Sequence, residues 1–271
     1  MTNVIIRALH RVTAALRRAR AGNLGAESEP AYPRLVEDAA IYVIGDLHGR
    51  CDCLRAAHRW IDADRARLPR NATREIYLGD FIDRGPESCG VIDALIARAA
   101  GVDCRFLRGN HERVIIDFLA GRIDLGSWRS IGGYETILSY GQDPRLLSHL
   151  GEAAATVFAR RLPVAHRAFL DALRDTYAVE RYFFVHAGVR PDVALADQKE
   201  EDLLWIRDPF LASQADFGAI VVHGHSPVAE PEMRANRINL DTGAYATGRL
   251  AVARIDPDGV AVVQVDARTG R

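Results

Sequence analysis

Residues 75–85 read EIYLGDFIDRG, in which a mostly apolar run ends at Gly79 and is followed by Asp80, Asp83 and Arg84. A short apolar run bounded by glycine is typical of a buried β-strand. Polar residues directly after such a strand lie at the edge of a sheet, where open α/β folds bind their ligands. The segment therefore predicts an α/β fold with Asp80 at a site on the sheet edge.

The same arrangement recurs along the chain. Strand-like runs precede four more polar strings: IYVIG before Asp46 in GDLHG (Gly45 to Gly49), CRFLRG before Asn110 in GNHE (Gly109 to Glu112), RYFFV before HAG (His186 to Gly188) and AIVV before HGH (His223 to His225). Because strand ends converge on one rim, we expect these polar side chains to meet there. Asp46 and His48 are two positions apart, so in an extended chain both would point to the same side.

The strings supply carboxylate, amide and imidazole donors. The candidate metal ligands are Asp46, His48, Asp80, Asn110, His186 and His225. Donors of this kind suit Mn, Fe or Zn. Two divalent ions roughly 3.5–4 Å apart can orient a phosphate and activate a water near neutral pH. The set predicts a centre for two divalent metal ions, with Mn as the favoured cofactor and Fe or Zn as alternatives.

Taken in order, the strings resemble those of the phosphoprotein phosphatases, the metal-dependent serine/threonine protein phosphatases of the calcineurin-like metallophosphoesterase superfamily. The resemblance covers about residues 41–255. It continues in LLWIRDPF (Leu203 to Phe210), GHSPV (Gly224 to Val228) and NLDTGA (Asn239 to Ala244), which are similar to the bacterial and phage-type members. It implies a central β-sandwich flanked by helices, with a helical cap formed by about residues 112–180.

The resemblance also implies which residue binds which ion. Asp46 and His48 would bind the first ion, and Asp80 would bridge both. Asn110, His186 and His225 would complete the second site. In HGH either imidazole could reach a metal, and the match to GHSPV favours His225 and leaves His223 a structural or supporting role.

The remaining roles implied by the resemblance are catalytic. His111 would be the general acid and Asp83 would orient it, while a metal-bridging hydroxide attacks phosphorus directly. Arg84 and Arg207 would hold the phosphate, because a planar guanidinium matches phosphate geometry. For Arg207 a surface turn with its side chain lying over Trp205 is the alternative.

The leading functional prediction is a metal-dependent protein serine/threonine phosphatase that acts on phosphorylated proteins, with phosphotyrosine as a further substrate. The first alternative is a symmetric diadenosine tetraphosphatase, for which Trp128, Tyr134 and Tyr140 could form an adenine slot. A catalytically silent protein that binds phosphate or a partner is the second alternative. It is disfavoured because both ligand sets and His111 are present.

The amino-acid composition limits which other classes of function are possible. The chain has 271 residues, 48% of them hydrophobic, and a net charge of −1, which allows a large core and argues against nucleic-acid binding. The cysteines, Cys51, Cys53, Cys89 and Cys104, show neither a disulfide framework nor CxxC zinc spacing. A reducing cytoplasm is the predicted location.

The amino-terminal residues 1–40 lie outside the resemblance. Residues 1–20 carry five arginines and no acid, with apolar residues at helical spacing, which predicts a basic amphipathic helix. Such a helix could contact an anionic membrane surface or a partner, or pack on its own domain. Residues 21–40 have the Gly, Ser and Pro of a linker. The predicted organisation is therefore a helix and linker over residues 1–40 and a catalytic domain over residues 41–271.

Overall fold

The strand-like runs before the polar strings are β-strands in the structure. The structure, a computed structural model, describes residues 32–269, so the predicted helix of residues 1–20 lies outside the described residues. The strands are β1 (Ala39–Ile44), β2 (Ala72–Tyr77), β3 (Asp103–Phe106), β4 (Thr176–Val179), β5 (Tyr182–Val185), β6 (Ile220–His223), β7 (Glu232–Met233), β8 (Arg237–Asn239), β9 (Arg249–Asp256) and β10 (Gly259–Asp266).

Helices fill most of the connections. They are α1 (Cys51–Arg67), α2 (Ser88–Ala99), α3 (Asn110–Leu119), α4 (Leu125–Ser130), α5 (Gly133–Ser139), α6 (Pro144–Ser148), α7 (Ala153–Ala159), α8 (Val164–Asp171), α9 (Glu200–Trp205) and α10 (Ala244–Thr247), with a 3₁₀ turn at Leu195–Asp197. Over residues 32–269, no helix combines the length and the apolar character that crossing a bilayer requires.

The strands form two mixed sheets. The first has the order β10-β9-β1-β2-β3, in which β1, β2 and β3 are parallel and β9 and β10 are antiparallel. The second has the order β4-β5-β6-β8-β7, in which β5, β6 and β8 are parallel. Ile44 pairs with Tyr77 at the ends of β1 and β2, so the chain leaves both strands at the same edge. This register places GDLHG beside GDFIDRG.

Alternating side chains divide the core into layers. Ile41 and Val43 of β1 pack with Phe184 and Val222 of the second sheet, so the two sheets face each other. Tyr42 and Ile44 point to the other side, where they pack on the helices. A third cluster covers the outer face of the second sheet. The predicted α/β sandwich flanked by helices is therefore confirmed.

The predicted helical cap is present as the helices α4 to α8. Its side chains join the core on the helical face of the first sheet, where Trp128 packs with ring centroids 5.0 Å from Phe118 and 5.1 Å from Phe158. Ser130, the last residue of α4, and Ile131, which follows it, line a cleft beside the polar strings. One corner of the cap thus forms a wall of the site.

Residues 32–40, which the sequence placed in a linker, pack on the domain. Leu35 is buried between the sheets, and the Tyr182 hydroxyl donates to the Pro33 carbonyl. Strand β1 begins at Ala39, two residues before the predicted boundary. The Gly, Ser and Pro residues that suggested a linker cannot reveal this packing, because the burial of Leu35 depends on tertiary contacts.

Candidate metal centre and phosphate cleft

Asp80 stands at the centre of the donor residues, in the turn that follows β2. Its Oδ2 lies 3.4 Å from His48 Nε2, and its Oδ1 lies 3.4 Å from His186 Nε2. Burial raises the pKa of Asp80, but the surrounding histidines outweigh it and hold the pKa below its usual value. An ionised carboxylate whose two oxygens face different imidazoles has the arrangement that a bridging ligand requires.

His48 and His186 present their Nε2 atoms to this carboxylate because Nδ1 is occupied. His48 Nδ1 lies 3.0 Å from the Ile82 carbonyl and His186 Nδ1 lies 2.9 Å from the Leu78 carbonyl, so each Nδ1–H donates to the backbone. Burial lowers the pKa of His48 to about 3 and also lowers that of His186. Both imidazoles are therefore neutral near pH 7, with a lone pair on Nε2 as metal binding requires.

The second donor group joins Asp80 to Asn110, His186 and His225. Asn110 Oδ1 lies 3.0 Å from His186 Nε2 and 3.0 Å from His225 Nδ1. Because the Nδ1–H of His186 already donates to the Leu78 carbonyl, His186 Nε2 carries a lone pair. This lone pair faces a lone pair of the Asn110 amide oxygen. Such acceptors repel unless a cation lies among them, so this group fits a metal ion.

Asp46 completes the fit to a cation. Its Oδ2 accepts from the His225 backbone N–H at 3.0 Å, while Oδ1 is buried and finds no hydrogen-bond partner among residues 32–269. Burial, with repulsion from Asp241 and Asp80, raises the pKa of Asp46. A buried carboxylate oxygen without a partner is costly, and a divalent ion would remove that cost.

Glu112 holds the loop that carries Asp80, a role that the sequence analysis did not assign. Its carboxylate accepts from the backbone N–H groups of Gly109 at 2.9 Å, Asp80 at 2.8 Å and Phe81 at 2.8 Å. Its position three residues after the helix-capping residue Gly109 is the signal of a capping box. The acid of GNHE therefore supports the site through the backbone.

His111 and Asp83 form a buried pair beside the donor groups. His111 Nδ1 lies 2.7 Å from Asp83 Oδ2. The Thr136 hydroxyl and the Trp128 indole N–H also donate to the Asp83 carboxylate, at 2.6 and 3.2 Å. Burial alone would lower the pKa of His111, but the carboxylates of Asp80 and Asp83 raise it overall. The imidazole can therefore take up a proton at Nε2 once Arg84, whose Nη2 faces that atom, binds elsewhere.

Both predicted arginines face a cleft of about 440 Å³ beside these groups. Arg84 Nη2 lies 3.1 Å from His111 Nε2. Arg207 donates to Ser226 Oγ and to the His225 carbonyl, each at 3.2 Å. These contacts tie the Arg207 guanidinium to the turn after β6 that carries His225, and its role in holding phosphate stays a prediction.

Two exposed aromatic side chains border this region. Trp205, at the end of α9, is 42% exposed, lines the cleft and has its ring 6.3 Å from that of His225. Tyr245 is 38% exposed, and its ring lies 5.0 Å from the Arg84 guanidinium carbon. Sequence reasoning missed Tyr245 because no motif or spacing marked it.

Residues 39–261 match the sequence profile of the calcineurin-like phosphoesterases. The chain belongs to this family. The match confirms the predicted superfamily and, with it, phosphoester hydrolysis as the class of reaction. It does not distinguish the protein phosphatases from other branches.

The proteins that this chain resembles carry the names of different phosphatases. A bis(5'-nucleosyl)-tetraphosphatase (asymmetrical) of Anoxybacillus flavithermus is 24% identical over 229 residues, covering 78% of this chain and 89% of the relative. A crystal structure of a putative diadenosine tetraphosphatase superposes with a TM-score of 0.61 at 18% identity, covering 88% of this chain and 98% of that one. The cold-active protein-tyrosine phosphatase of a psychrophilic Shewanella species has a TM-score of 0.54 at 13% identity, with 85% and 83% covered. The two structural likenesses concern the fold alone.

The phosphoesterase places His223 and His225 in different surroundings. The His223 ring lies 5.0 Å from that of Phe210, and its Nδ1 is 3.0 Å from the Gly224 carbonyl oxygen. His225, in contrast, adjoins Asn110 and forms a donor group with Asp80 and His186. This placement agrees with the preference for His225 as the candidate ligand.

Several site residues of the phosphoesterase have left-handed backbone. The values of φ are 45° at His48, 51° at Asp80, 71° at Asp83, 66° at Arg84 and 64° at His225. The assumption of an extended chain from Asp46 to His48 is therefore wrong: β1 ends at Ile44 and the segment turns. Conformations of this kind cost about 1–3 kcal/mol each and concentrate at functional sites.

Proposed function

We propose that this phosphoesterase is a metal-dependent hydrolase of dinucleoside polyphosphates. The observation that carries the proposal is the exposed Trp205 ring, which lies on the cleft lined by Arg84, His111 and Arg207. The curated relative's name, bis(5'-nucleosyl)-tetraphosphatase, supports the same substrate class. The sequence predicted a symmetric diadenosine tetraphosphatase as an alternative, whereas this relative is named asymmetrical, so the proposal covers the substrate class and leaves the cleavage position open.

Trp205 suits a nucleobase better than Trp128 and Tyr140, two of the three aromatic residues considered from the sequence. Trp128 is fully buried and donates to Asp83, and Tyr140 packs on Phe158 with centroids 5.7 Å apart. These two side chains belong to the core and the catalytic support. Trp205 has an open face at the cleft, and stacking of a base on an aromatic ring contributes about 1–3 kcal/mol.

The donor groups would hold two divalent ions through Asp46, His48, Asp80, Asn110, His186 and His225. When bound, such ions neutralise phosphate charge and activate a water for attack. Arg84 and Arg207 would fix the phosphate by charge-assisted hydrogen bonds. A phosphate oxygen that binds Arg84 would also release His111 Nε2 to face the leaving group.

The test compares diadenosine tetraphosphate, a phosphoserine peptide, a phosphotyrosine peptide and 4-nitrophenyl phosphate on metal-stripped protein resupplied with Mn²⁺. We expect the dinucleotide to have the highest kcat/KM. Trp205→Ala should raise the KM for the dinucleotide about tenfold, because stacking is lost, while the KM for 4-nitrophenyl phosphate changes less. Leu146→Ala, a truncation at an exposed position on α6, is the matched control.

Three results would contradict the proposal. Faster turnover of the peptides would restore the protein phosphatase prediction. An unchanged dinucleotide KM in Trp205→Ala would remove the tryptophan from substrate binding. Failure to hydrolyse any of the four compounds would favour the catalytically silent alternative.

The second candidate, a protein serine/threonine phosphatase, is favoured by the His111–Asp83 pair. A serine or threonine alkoxide is a poor leaving group and needs a proton, which an acid with a raised pKa can supply. A nucleotide phosphate leaves readily without one. The dependence of each substrate on His111 therefore separates the two candidates.

A further inference from the structure

A third group of metal-type donors lies outside the cleft, on the helical layer. Cys89 and Asp93 are four positions apart on α2, so their side chains share one face of the helix. His166 of α8 packs against this face. Nothing in the proposed reaction uses these three side chains.

Their donor atoms converge on one point. His166 Nε2 lies 2.9 Å from Asp93 Oδ1, Cys89 Sγ lies 3.9 Å from Asp93 Oδ2, and all three donor atoms are within 4.8 Å of one another. Ligand bonds of 2.0–2.3 Å to a tetrahedral zinc ion separate neighbouring donors by about 3.3–3.7 Å. The two measured separations lie on either side of that range, so small side-chain adjustments would bring the donors to an ion.

Tyr140 positions the imidazole. Its hydroxyl lies 2.8 Å from His166 Nδ1, and His166 is only 2% exposed. A hydroxyl can accept as well as donate. When it accepts from Nδ1–H, the Nε2 lone pair is directed at Asp93 and is available to a metal. A histidine fixed through its other nitrogen is the usual arrangement around protein-bound metals.

We propose that Cys89, Asp93 and His166 bind a zinc ion at a site separate from the proposed catalytic centre. One thiolate, one imidazole and one carboxylate suit borderline-soft Zn²⁺ and do not suit Mg²⁺ or Ca²⁺, which prefer oxygen ligands. The Asp93 side chain is 68% exposed, so solvent can reach the site and supply water as the fourth ligand. This proposal does not depend on the substrate of the phosphoesterase.

The ion would join α2 to α8. Cys89 directly follows Ser88, whose hydroxyl accepts from the Asp83 backbone N–H at 3.1 Å and adjoins Thr136 Oγ1 at 2.9 Å. The Cys89 N–H donates to Ser139 Oγ of α5 at 3.2 Å. Zinc at this position would therefore anchor the start of α2, which supports the His111–Asp83 pair, and would stabilise the folded chain by mass action.

The first experiment is a Co²⁺ titration of metal-stripped, full-length protein under reducing conditions, followed by near-ultraviolet absorption. A thiolate bound to Co²⁺ gives a charge-transfer band, and the proposed catalytic donors include no sulfur. We expect the band in the wild-type protein and in Asp80→Asn, its loss in Cys89→Ser, and its disappearance when Zn²⁺ displaces Co²⁺. Cys104→Ser, at another partly buried cysteine, should keep the band.

The role of Tyr140 can be tested with a milder change. Tyr140→Phe removes only the hydroxyl that orients His166, and we expect it to weaken Co²⁺ binding at this site about 10- to 100-fold. Absence of the band in the wild-type protein, or its persistence in Cys89→Ser, would overturn the proposal. Because Asp80→Asn changes only the proposed catalytic centre, a band that persists in this variant would show that the Cys89 site binds metal independently of that centre.

A second measurement needs no variant. Wild-type protein is treated with iodoacetamide with and without Zn²⁺, and alkylation of each cysteine is followed by mass spectrometry. Zn²⁺ should slow alkylation of Cys89 at least tenfold and leave Cys104 unchanged, while Cys51 and Cys53, fully buried, stay unlabelled in both conditions. Equal labelling of Cys89 in both conditions would also refute the site, even if Cys89→Ser did not fold.

Discussion

Both donor groups depend on Asp80, because one of its oxygens faces His48 and the other faces His186. Asp80→Asn should therefore weaken both ions together. Since bound metal contributes several kcal/mol of transition-state stabilisation, we expect turnover to fall by about three orders of magnitude or more. Metal content by elemental analysis and hydrolysis of 4-nitrophenyl phosphate check this.

A control for this change is Asp103→Asn, which neutralises an exposed aspartate on β3. It should retain metal and activity. If Asp80→Asn retained two ions per chain, Asp80 would not be the shared ligand.

His111→Asn should reduce hydrolysis according to the leaving group. With a phosphoserine peptide we expect a loss of about 10²–10⁴ in kcat, the usual contribution of general acid catalysis. With 4-nitrophenyl phosphate, whose leaving group needs no proton, the loss should be much smaller. The ratio of the two losses, together with unchanged metal content, is the measurement; equal losses would argue against an acid role.

The pH dependence tests the partner of His111. Asp83, hydrogen-bonded at 2.7 Å, helps to raise the pKa of His111 above its usual value. Because the acid must be protonated, activity with a poor leaving group is lost as pH rises through that pKa. Asp83→Asn removes the negative charge and lowers the pKa of His111, so the alkaline limb of the profile should move to lower pH. A limb that stays in place would mean that another group sets it.

The sequence predicted most individual site residues but not those that support them. His48, Asp80, His111, Arg84 and Arg207 meet at one rim, as their strings indicated. Their roles as ligands and catalysts stay predictions. Trp128 and Thr136 donate to Asp83 from helices that reach it only through tertiary packing, so local spacing could not mark them.

The turn after β6 brings the backbone of Gly224 close to the side chain of Asp46, a candidate metal ligand. A Cβ placed on Gly224 would lie 2.0 Å from Asp46 Oδ1, a distance that no stable structure allows. Gly224→Ala should push the Asp46 carboxylate out of place. We expect metal content to fall below two ions per chain, measured by elemental analysis after gel filtration.

Gly101→Ala provides the comparison, since no atom lies within 4 Å of a Cβ built there. That variant should keep both ions. Full occupancy in Gly224→Ala would remove Asp46 from the ligand set.

Strands were easier to predict than helix boundaries. Runs such as AIVV and RYFFV became β6 and β5 because an apolar run bounded by glycine or polar residues leaves few alternatives. The segment from α4 to α8 could be predicted only as mostly helical. Its helices are short, and local capping such as that by Asp124, whose side chain accepts from the Ser127 N–H, decides where they begin.

The stability of the fold as a unit rests partly on an ion-pair network between α1, β2 and α2, in which Glu75 is buried and Asp62 is exposed. Arg98 Nη2 lies 2.6 Å from Glu75 Oε1 and 2.6 Å from Asp62 Oδ1, and Glu75 is 1% exposed. Arg98→Met would leave the Glu75 carboxylate buried without its cation. Breaking such a pair costs about 3–5 kcal/mol, which we expect to see as a lower free energy of unfolding in urea.

The control is Arg122→Met, which removes a cation that pairs with Asp117 at the surface and is 54% exposed. Exposed pairs contribute about 0–1 kcal/mol, so this variant should unfold close to the wild type. Similar losses in the two variants would show that burial of Glu75 does not determine the cost.

The sequence predicted the layered architecture, but it did not predict the strand order of the second sheet or the packing of the residues before β1. Two sheets and flanking helices followed from the strand-like runs and the resemblance, and the family match over residues 39–261 confirms them. The order of strands in the second sheet, with β8 between β6 and β7, joins residues whose pairing no local pattern specifies. The packing of Leu35 likewise depends on the finished sandwich.

The left-handed backbone at His48, Asp80 and His225 limits how the centre could be re-engineered. Aspartate, asparagine and histidine are the side chains that best tolerate this conformation apart from glycine, and they are also donors for divalent ions. The backbone conformation and the coordination of a metal therefore favour the same three residue types. A designer seeking a different metal preference would do better to exchange these three residue types among themselves than to introduce bulky or β-branched side chains, because those would strain the turns before any ion was bound.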